Sequence, residues 1–314
     1  WAPERDWGRE AVLKTYEREP QKNETVPFTE EDRRTVMENL EQNVLATARS
    51  NPQVTFYYFI PPYSISWWDS ELMVKGEFER QMEGLGARCN CLVWDAPAHG
   101  KSRPFPLDFS LEDMADYLRG ILDAEGISRP ILVGQSLGGY VSQVFMTRYP
   151  GTASGFVSID SCSLEREYYT GAELWLLKHT EGMYRSIPWG LLKQWGPRGT
   201  AESAYGRRVM AAMMADYTQD EYCALTAHGF RILAQSIEAG PSYALTCPAL
   251  LLCGEKDGAG SCKRYDRAWS RKTGLPLTWV PGAGHNSNCD APEFVNQAIA
   301  AFVRSLGADK GQPA

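Results

Sequence analysis

Ser136 lies in a residue spacing that is typical of an enzymatic nucleophile. The string GQSLG, residues 134–138, follows a short apolar run and precedes a helical pattern. It predicts a sharp turn from a strand into a helix, and its glycines permit the close backbone approach that this turn requires. The turn presents the Ser136 hydroxyl and places the Leu137 N–H at a helix N-terminus, where it can stabilise an oxyanion.

A base and an acid are needed beside Ser136, because an unassisted hydroxyl is a weak nucleophile. His285 lies in the glycine-rich string PGAGHN after a strand-like run, which favours the role of base. Asp257, in the string GEKDG after another apolar run, precedes the histidine in the chain, as the acid should. Glu255 in the same string and Asp160 after an earlier strand-like run are alternative acids.

The other histidines and the cysteines favour structural roles. We expect His99, His179 and His228 to pack or form hydrogen bonds rather than to act as bases. The eight cysteines match no zinc-ligand spacing, so the sequence predicts no metal and no organic cofactor. We expect the cysteines to stay reduced, which favours a cytoplasmic location. A signal peptide removed from a longer chain is the alternative.

Charge and hydropathy narrow the class of partner. The formal net charge of -7 opposes binding to nucleic acid, because a phosphate backbone requires a basic face. No apolar stretch reaches about twenty residues, so no membrane span is predicted. The expected partner is a small-molecule substrate, and the sequence predicts no particular oligomeric state.

Strand-like and helix-like segments alternate from about residue 90 onward. Helical spacing of apolar residues covers 111–125 and is preceded by Ser110 as a possible N-cap. The strand-like apolar runs are 91–94, 130–133, 155–159, 249–253 and 277–280. Continuous apolar strands that alternate with helices predict a mostly parallel sheet covered by helices on both faces.

Residues 161–243 interrupt this alternation. The segment is rich in Tyr, Trp, Met, Ala and Leu and predicts several helices, for example at 172–179 and 207–217. A helical insert between two strands of a parallel sheet is typical of a cap that supplies an apolar substrate pocket. The candidate pocket residues are Gln135, Trp175, Tyr184, Trp189, Trp195, Met213 and Met214.

Four strings in the right order resemble the α/β-hydrolase family across about residues 83–307. They are GQSLGG, GEKD, GAGH and WDAPAHGKS, the last being similar to the loop after the family's fourth strand. The resemblance implies an α/β-hydrolase fold. Its implied parts are a core at 83–160 and 244–307, a helical cap at 161–243 and a tail at 308–314.

The resemblance also implies a Ser136–His285–Asp257 triad. Because the nucleophile is serine and not the aspartate of related dehalogenases and epoxide hydrolases, acyl chemistry is expected. The expected reaction is cleavage of an ester, thioester, lactone or amide, with carbon–carbon hydrolysis also possible on such a triad. An acyltransferase and a ligand-binding protein without catalysis are the alternative functions.

Residues 1–82 depart from the family pattern. They predict a helix at 30–50, a strand at 54–60 and a helix at 70–84. The two strands that normally open the family's sheet are not recognisable, so we expect them to be missing or replaced. Residues 24–82 faintly resemble SGNH-type hydrolase-like proteins.

The end of the strand 54–60 bears on the oxyanion hole. The family has a His-Gly pair there, whereas this chain has Pro61 and Pro62. Proline has no N–H, so the second oxyanion donor is expected to be Tyr63, with Ser64 as the alternative. A missing donor would lower turnover by about 10²–10³-fold.

Overall fold

The structure is a computed structural model that describes Arg34 and residues 56–60, 77–86 and 89–308. The described residues from Phe56 onward belong to one compact unit, which comprises 52–67 and 73–314. Of the other unit only Arg34 is described, and it is helical and exposed. The rest of the predicted helix 30–50, the Pro61–Ser64 segment and most of the predicted helix 70–84 lie outside the described residues.

Six parallel strands form one sheet, as the alternation predicted. They are β1 (Phe56–Ile60), β2 (Asn90–Val93), β3 (Ile131–Gln135), β4 (Gly155–Ile159), β5 (Ala249–Gly254) and β6 (Leu277–Val280). Their order is β2-β1-β3-β4-β5-β6. All residues of β3, β4 and β5 are buried, which explains their continuous apolar sequence.

The strand predicted at 54–60 has an interior place in the sheet. In the register of β1, Tyr57 pairs with Cys91 of β2 and with Ile131 of β3. All five pairings are parallel, so the carboxyl ends of the strands lie at one edge. No strand precedes β1 in the part of the chain that the structure describes.

Helices cover both faces of the sheet. Among the residues described from Phe56 onward, the helices outside the insert are α1 (Glu79–Leu85), α2 (Leu111–Ala124), α3 (Leu137–Arg148), α9 (Cys262–Thr273), α10 (Ser287–Asp290) and α11 (Pro292–Ala308). One apolar cluster contains residues of α2, α3 and α9, and a second contains residues of α1 and α11. Among the described helices, none is both long and apolar enough to cross a membrane.

Ser110 begins α2 in the way its sequence indicated. Its Oγ accepts the Asp113 N–H at 3.1 Å, and its own N–H donates to the Asp113 carboxylate at 2.8 Å. This reciprocal cap satisfies backbone donors that the first turn leaves unpaired. Met114 and Leu118 of this helix are buried in the apolar cluster that also contains residues of α3 and α9.

Five helices lie between β4 and β5. They are α4 (Gly171–Lys178), α5 (Thr180–Ser186), α6 (Trp189–Thr200), α7 (Ala204–Ala215) and α8 (Gln219–Ala239). The predicted helices at 172–179 and 207–217 correspond to α4 and α7, with ends shifted by a few residues. The longest helix, α8, ends at Gly240 with φ +65°, a conformation that favours glycine.

Candidate active site

Ser136 occupies the sharp turn between β3 and α3. Its backbone has φ 47° and ψ -115°, a strained conformation that only the surrounding structure can enforce. A Cβ on Gly134 would lie 2.3 Å from the Gly138 carbonyl carbon, and one on Gly139 2.3 Å from Ser161 Oγ. Glycine is therefore required at both positions for this turn to form.

The three residues predicted to act together lie within hydrogen-bond distance. His285 Nε2 is 3.0 Å from Ser136 Oγ, and His285 Nδ1 is 3.1 Å from Asp257 Oδ2. With its proton on Nδ1, the neutral ring donates to the carboxylate and accepts from the hydroxyl. The other carboxylate oxygen of Asp257 accepts the Ala259 N–H at 2.7 Å, which fixes the acid in the turn.

The loops that carry Asp257 and His285 are in direct backbone contact. Lys256 N–H donates to the Ala283 carbonyl at 2.8 Å, and a Cβ on Gly254 would meet the Gly284 oxygen at 2.1 Å. Parallel pairing of β5 with β6 brings these two loops to the same sheet edge. Their glycines then let the backbones approach closely enough for the side chains to meet.

Burial and charge act on Asp257 and His285 in opposite directions. Burial acts to raise the pKa of Asp257, but its hydrogen bond with His285 and the charge of that ring outweigh burial and lower the pKa. Burial acts to lower the pKa of His285, but Asp257, with Asp160 and Glu77, raises it to about 9. Asp257 is therefore favoured in its ionised form, and the His285 ring is more basic than a free imidazole.

Asp160, an alternative acid, has other partners. Its carboxylate accepts the Gly254 N–H at 2.7 Å and the Ser287 N–H at 2.9 Å. It is fully buried with φ +48°, and burial raises its pKa to about 7. Asp160 thus joins the end of β4 to the loops that carry Asp257 and His285, while Asp257 accepts the hydrogen bond from the imidazole.

Glu255, the other alternative acid, points away from the histidine ring. Its carboxylate accepts the Gly282 N–H at 2.9 Å, and the residue is exposed. This hydrogen bond stabilises the loop before His285 on its solvent-exposed side. Within the GEKDG turn, Asp257 alone is hydrogen-bonded to the ring, because its side chain is the one that faces inward.

A buried polar network lies behind His285. Gln135 Nε2 donates to the His285 carbonyl at 2.8 Å, and Asn286 Nδ2 donates to Glu77 Oε1 at 3.1 Å. Burial raises the pKa of Glu77 to about 8. The network connects Gln135, which precedes Ser136, with Asn286, which follows His285, and neither residue lines the cavity.

Leu137 is the first residue of α3, so its N–H has no partner within the helix and lies beside Ser136. Such a donor at a helix N-terminus is suited to an oxyanion. Tyr63, the predicted second donor, lies outside the described residues, as do Pro61 and Pro62.

Asp290 joins the helical insert to the histidine loop. Its carboxylate accepts N–H groups from Glu202 and Ser203 of the insert and from Gly284, each at 2.8 Å. The Asn286 N–H donates to the Thr200 carbonyl at 2.8 Å and adds a fourth connection. These bonds fix the insert to the loop that carries His285.

A cavity of about 790 Å³ opens above Ser136 and His285, both of which line it. Most of its other walls come from the insert. The apolar residues among them include Leu176, Leu177, Ile187, Leu192, Met210, Leu225, Phe230, Ile232 and Leu233. The described lining contains the carboxylates of Asp160 and Glu173 but no lysine and no arginine.

The structure places two of the predicted pocket residues, Tyr184 and Trp195, on the cavity wall. The other five lie elsewhere. Gln135 belongs to the buried network, and Trp175 is 60% exposed and stacks on His179. Trp189, Met213 and Met214 pack within the insert, Met214 in a small cluster with Leu192 and Cys223.

The three remaining histidines have backbone partners. His99 Nδ1 is 2.8 Å from the Pro97 carbonyl, and His179 Nδ1 is 2.7 Å from the Trp175 carbonyl. His228 Nε2 donates to the Phe109 carbonyl at 2.8 Å, and burial lowers its pKa. His99 and His228 also line the cavity, so both combine a structural contact with a place in the wall.

The lining face of α8 was missed by sequence reasoning, which favoured large aromatic residues. Tyr222, Leu225, Gly229 and Ile232 all line the cavity. Their spacing of three, four and three residues is that of one helix face. That periodicity is the signal that would have found them, although it does not tell which face meets a substrate.

Residues 59–298 match the sequence profile of the alpha/beta hydrolase family. The chain belongs to that family. This confirms the resemblance that four short strings indicated. The match begins within β1, so part of the segment 1–82 that departs from the family pattern belongs to the family as well. The described fold agrees, since six parallel strands with helices on both faces carry Ser136, Asp257 and His285 at the expected strand ends.

Relatives of this alpha/beta hydrolase include enzymes with different reactions. It is 28% identical to 2-(acetamidomethylene)succinate hydrolase of Mesorhizobium japonicum, over 72% of this chain and 82% of that one. It is 25% identical to 2-succinyl-6-hydroxy-2,4-cyclohexadiene-1-carboxylate synthase of Citrobacter koseri, over 68% and 83%. Its fold is similar to that of a thermophilic esterase from Thermogutta terrifontis, with a TM-score of 0.62, 21% identity and coverage of 81% and 91%.

Proposed function

We propose that this alpha/beta hydrolase cleaves acyl bonds with Ser136 as nucleophile, His285 as base and Asp257 as the orienting acid. The observation that carries the proposal is the continuous contact from Ser136 Oγ to His285 Nε2 at 3.0 Å and from His285 Nδ1 to Asp257 Oδ2 at 3.1 Å. This is the arrangement in which an imidazole removes a serine proton while a carboxylate stabilises the imidazolium.

Each step of the reaction follows from these contacts. Ser136 Oγ attacks the acyl carbon as its proton moves to His285 Nε2, and the Leu137 N–H stabilises the oxyanion. The carbon–oxygen bond to the leaving group then breaks, and His285 returns the proton to that group. Water, deprotonated by the same ring, hydrolyses the acyl-enzyme and regenerates Ser136.

The helical insert acts as a cap that binds the substrate. It supplies most of the apolar wall of the 790 Å³ cavity, a volume suited to a small or medium organic molecule. The bonds of Asp290 to Ser203 and Gly284 support this role, since they hold the insert over the base. An apolar cavity favours an ester, thioester or lactone with a largely apolar acyl part.

We further infer that the preferred substrate is uncharged at its acyl part. The described lining contains no lysine or arginine that could pair with an anionic acyl part, and its Glu173 is already paired with Arg264 at 2.6 Å. Burying an unpaired carboxylate in such a cavity is costly. The name of the relative from Mesorhizobium japonicum indicates a dicarboxylic substrate, so this chain is expected to differ from it in specificity.

A fluorophosphonate probe tests the nucleophile directly. The purified chain should be labelled at Ser136, and the S136A variant should not be labelled although it folds. Absence of labelling of the intact chain at micromolar probe would contradict the proposal and favour a ligand-binding protein without catalysis. Labelling at another serine would assign the chemistry to a different site.

A matched pair of esters tests the substrate class. p-Nitrophenyl butyrate and the mono-p-nitrophenyl ester of succinate have acyl chains of equal length, but only the second ends in a carboxylate. We expect kcat/KM to be at least about tenfold higher for the butyrate, which corresponds to about 1.4 kcal/mol. Equal values, or a preference for the succinate, would overturn the inference about charge. Product analysis with an added alcohol distinguishes hydrolysis from acyl transfer.

A further inference from the structure

Two cysteine side chains that line the cavity lie close to a buried aspartate. Cys162 follows β4, Cys262 begins α9, and Asp266 lies one turn further along α9. Cys162 Sγ is 3.2 Å from Cys262 Sγ, which is 3.7 Å from Asp266 Oδ2. One ligand atom of each residue lies within 4.8 Å of the other two, and all three residues are buried.

These separations suit a tetrahedral metal ion. Bonds of about 2.3 Å from zinc to thiolate sulfur imply sulfur–sulfur separations of about 3.8 Å. The observed sulfur–sulfur distance of 3.2 Å is shorter, so an ion requires a small opening of the Cys162–Cys262 pair. The 3.7 Å between Cys262 Sγ and Asp266 Oδ2 is close to the ~3.5 Å expected for a thiolate sulfur and a carboxylate oxygen on one zinc ion. Thiolates are soft ligands that select ions of the zinc and cadmium class.

Asp266 gives an independent indication of a missing ligand. It is fully buried, yet its Oδ1 has no hydrogen-bond partner, although buried polar atoms almost always have one. A cation bound between the two thiolates and this carboxylate would satisfy the atom. Cys253, whose Sγ lies within 4.8 Å of Cys262 Sγ, is a further soft ligand beside the group.

An ion can reach the group from the cavity. Cys162 and Cys262 both line the cavity above Ser136, so their sulfur-bearing side chains lie at the boundary between the cavity and the buried Asp266.

We propose that Cys162, Cys262 and Asp266 form a binding site for one thiophilic divalent cation of the Zn²⁺ and Cd²⁺ class. The ion binds to the deprotonated thiols and carboxylate, and the displaced protons pass to solvent. This site contains no residue of the proposed triad but adjoins it, because Cys262 also belongs to a second group of possible ligands that includes Asp257. The second group consists of Cys253, Asp257 and Cys262, with their ligand atoms within 4.8 Å of one another.

Occupancy is expected to inhibit the hydrolase, a consequence that rests on the proposed function. A carboxylate oxygen of Asp257 lies within 4.8 Å of Cys262 Sγ, so an ion bound at Cys262 can take Asp257 as a further ligand and draw it away from His285. Complete loss of the Asp257 contact with His285 lowers kcat by about 10³–10⁴-fold, so its partial loss lowers kcat by a smaller factor. Saturating Cd²⁺ should therefore lower kcat by at least about tenfold, and a chelator should restore it.

Titration of the reduced full chain with Cd²⁺, followed by thiolate-to-metal absorption, tests the site without reference to catalysis. We expect one tight equivalent in the intact chain and in S136A. A C162S/C262S double variant should lose it, whereas the matched C89S/C247S control, which changes two cysteines outside the group, should keep it. Tight binding that survives in C162S/C262S would overturn the proposal.

A second variant covers the case in which the double variant fails to fold. D266N leaves every thiol in place and should weaken Cd²⁺ binding by at least about tenfold. Unchanged affinity in D266N would exclude Asp266 as a ligand and overturn the site. Mass spectrometry of peptides from protein purified without oxidant tests for a disulfide. A cross-linked Cys162–Cys262 peptide pair that is two hydrogens lighter would show a disulfide and overturn the metal site. If Cd²⁺ binds but no ester is cleaved, the metal site stands and the proposed function fails.

Discussion

At the scale of single residues, two buried carboxylates beside His285 differ in their partners. Asp257 is hydrogen-bonded to the ring, and its pKa is lowered despite burial. Asp160 accepts two backbone N–H groups, and burial raises its pKa to about 7. The contact with the imidazole therefore decides which carboxylate stays ionised near neutral pH.

Replacing Asp257 with asparagine should lower kcat by about 10³–10⁴-fold. The amide can donate to the ring and favour the wrong tautomer, and it does not stabilise the imidazolium. E255Q is the matched control in the same turn, because the exposed Glu255 braces Gly282 and does not contact the ring. The measurement is kcat for a p-nitrophenyl ester. A D257N variant with more than a tenth of wild-type kcat would refute Asp257 as the acid.

The pH dependence of kcat/KM should follow the ionisation of His285. Three carboxyl groups, Asp257, Asp160 and Glu77, raise its pKa to about 9. Only the neutral ring can accept the Ser136 proton, so kcat/KM should rise with pH and level off above about 9. D257N should move this limb to lower pH by at least about one unit, since it removes the largest raising influence.

The profile is measured with a p-nitrophenyl ester after subtraction of the rate with S136A. A shift of the rising part of the pH profile reports the pKa of His285, whereas a loss of folded protein lowers the rate without moving the profile. A limb at the same pH in D257N and in the intact chain would show that Asp257 does not set the basicity of His285.

At the scale of elements, glycines at strand ends determine how closely the loops approach. Gly134 at the end of β3 allows the turn at Ser136, and Gly254 at the end of β5 allows contact with Gly284. Both positions lie where the backbone of another segment would occupy the space of a Cβ. The parallel sheet brings the loops to one edge, and these glycines bring them into contact.

G134A should lower the free energy of unfolding by about 1–3 kcal/mol or more, because its Cβ would lie 2.3 Å from the Gly138 backbone. G120A is the matched control. Gly120 lies in α2, where a Cβ meets nothing within 4 Å, so alanine should raise stability by about 0.5–1 kcal/mol. Urea unfolding measures both. Equal stability of G134A and the intact chain would contradict the tight turn.

At the scale of the whole molecule, the insert and the sheet meet at Asp290. One carboxylate accepts three N–H groups, two from the insert and one from the histidine loop. The cavity has the insert as one wall and the residues around Ser136 as the other. The shape of the cavity therefore depends on the junction at Asp290 as well as on the insert and the residues around Ser136.

D290A should lower the free energy of unfolding by about 2–4 kcal/mol, since three backbone donors lose their acceptor. It should also lower kcat/KM, because Gly284 directly precedes His285 and helps to position it. D220A, which removes a carboxylate that is 86% exposed on α8, should change stability by less than about 0.5 kcal/mol. Thermal unfolding and ester hydrolysis measure the two effects. Matching results for D290A and D220A would show that the junction contributes little.

The sequence by itself determined the fold class and the candidate catalytic residues. Ser136, Asp257 and His285 each lie in a short glycine-bearing string at the end of an apolar run, and such local patterns can be read without knowledge of distant contacts. The apolar runs themselves became β2 to β6, because strands buried on both faces must be continuously apolar.

Tertiary structure alone decided the features that depend on contacts between distant segments. The pairing of β1 with β3, the junction at Asp290 and the approach of Cys162 to Cys262 join residues separated by about 70 to 100 positions. The cavity wall was decided in the same way: Trp175 is exposed, while Leu225 lines the cavity. Helical periodicity identifies an apolar face, but only packing determines whether that face meets the core, the solvent or a substrate.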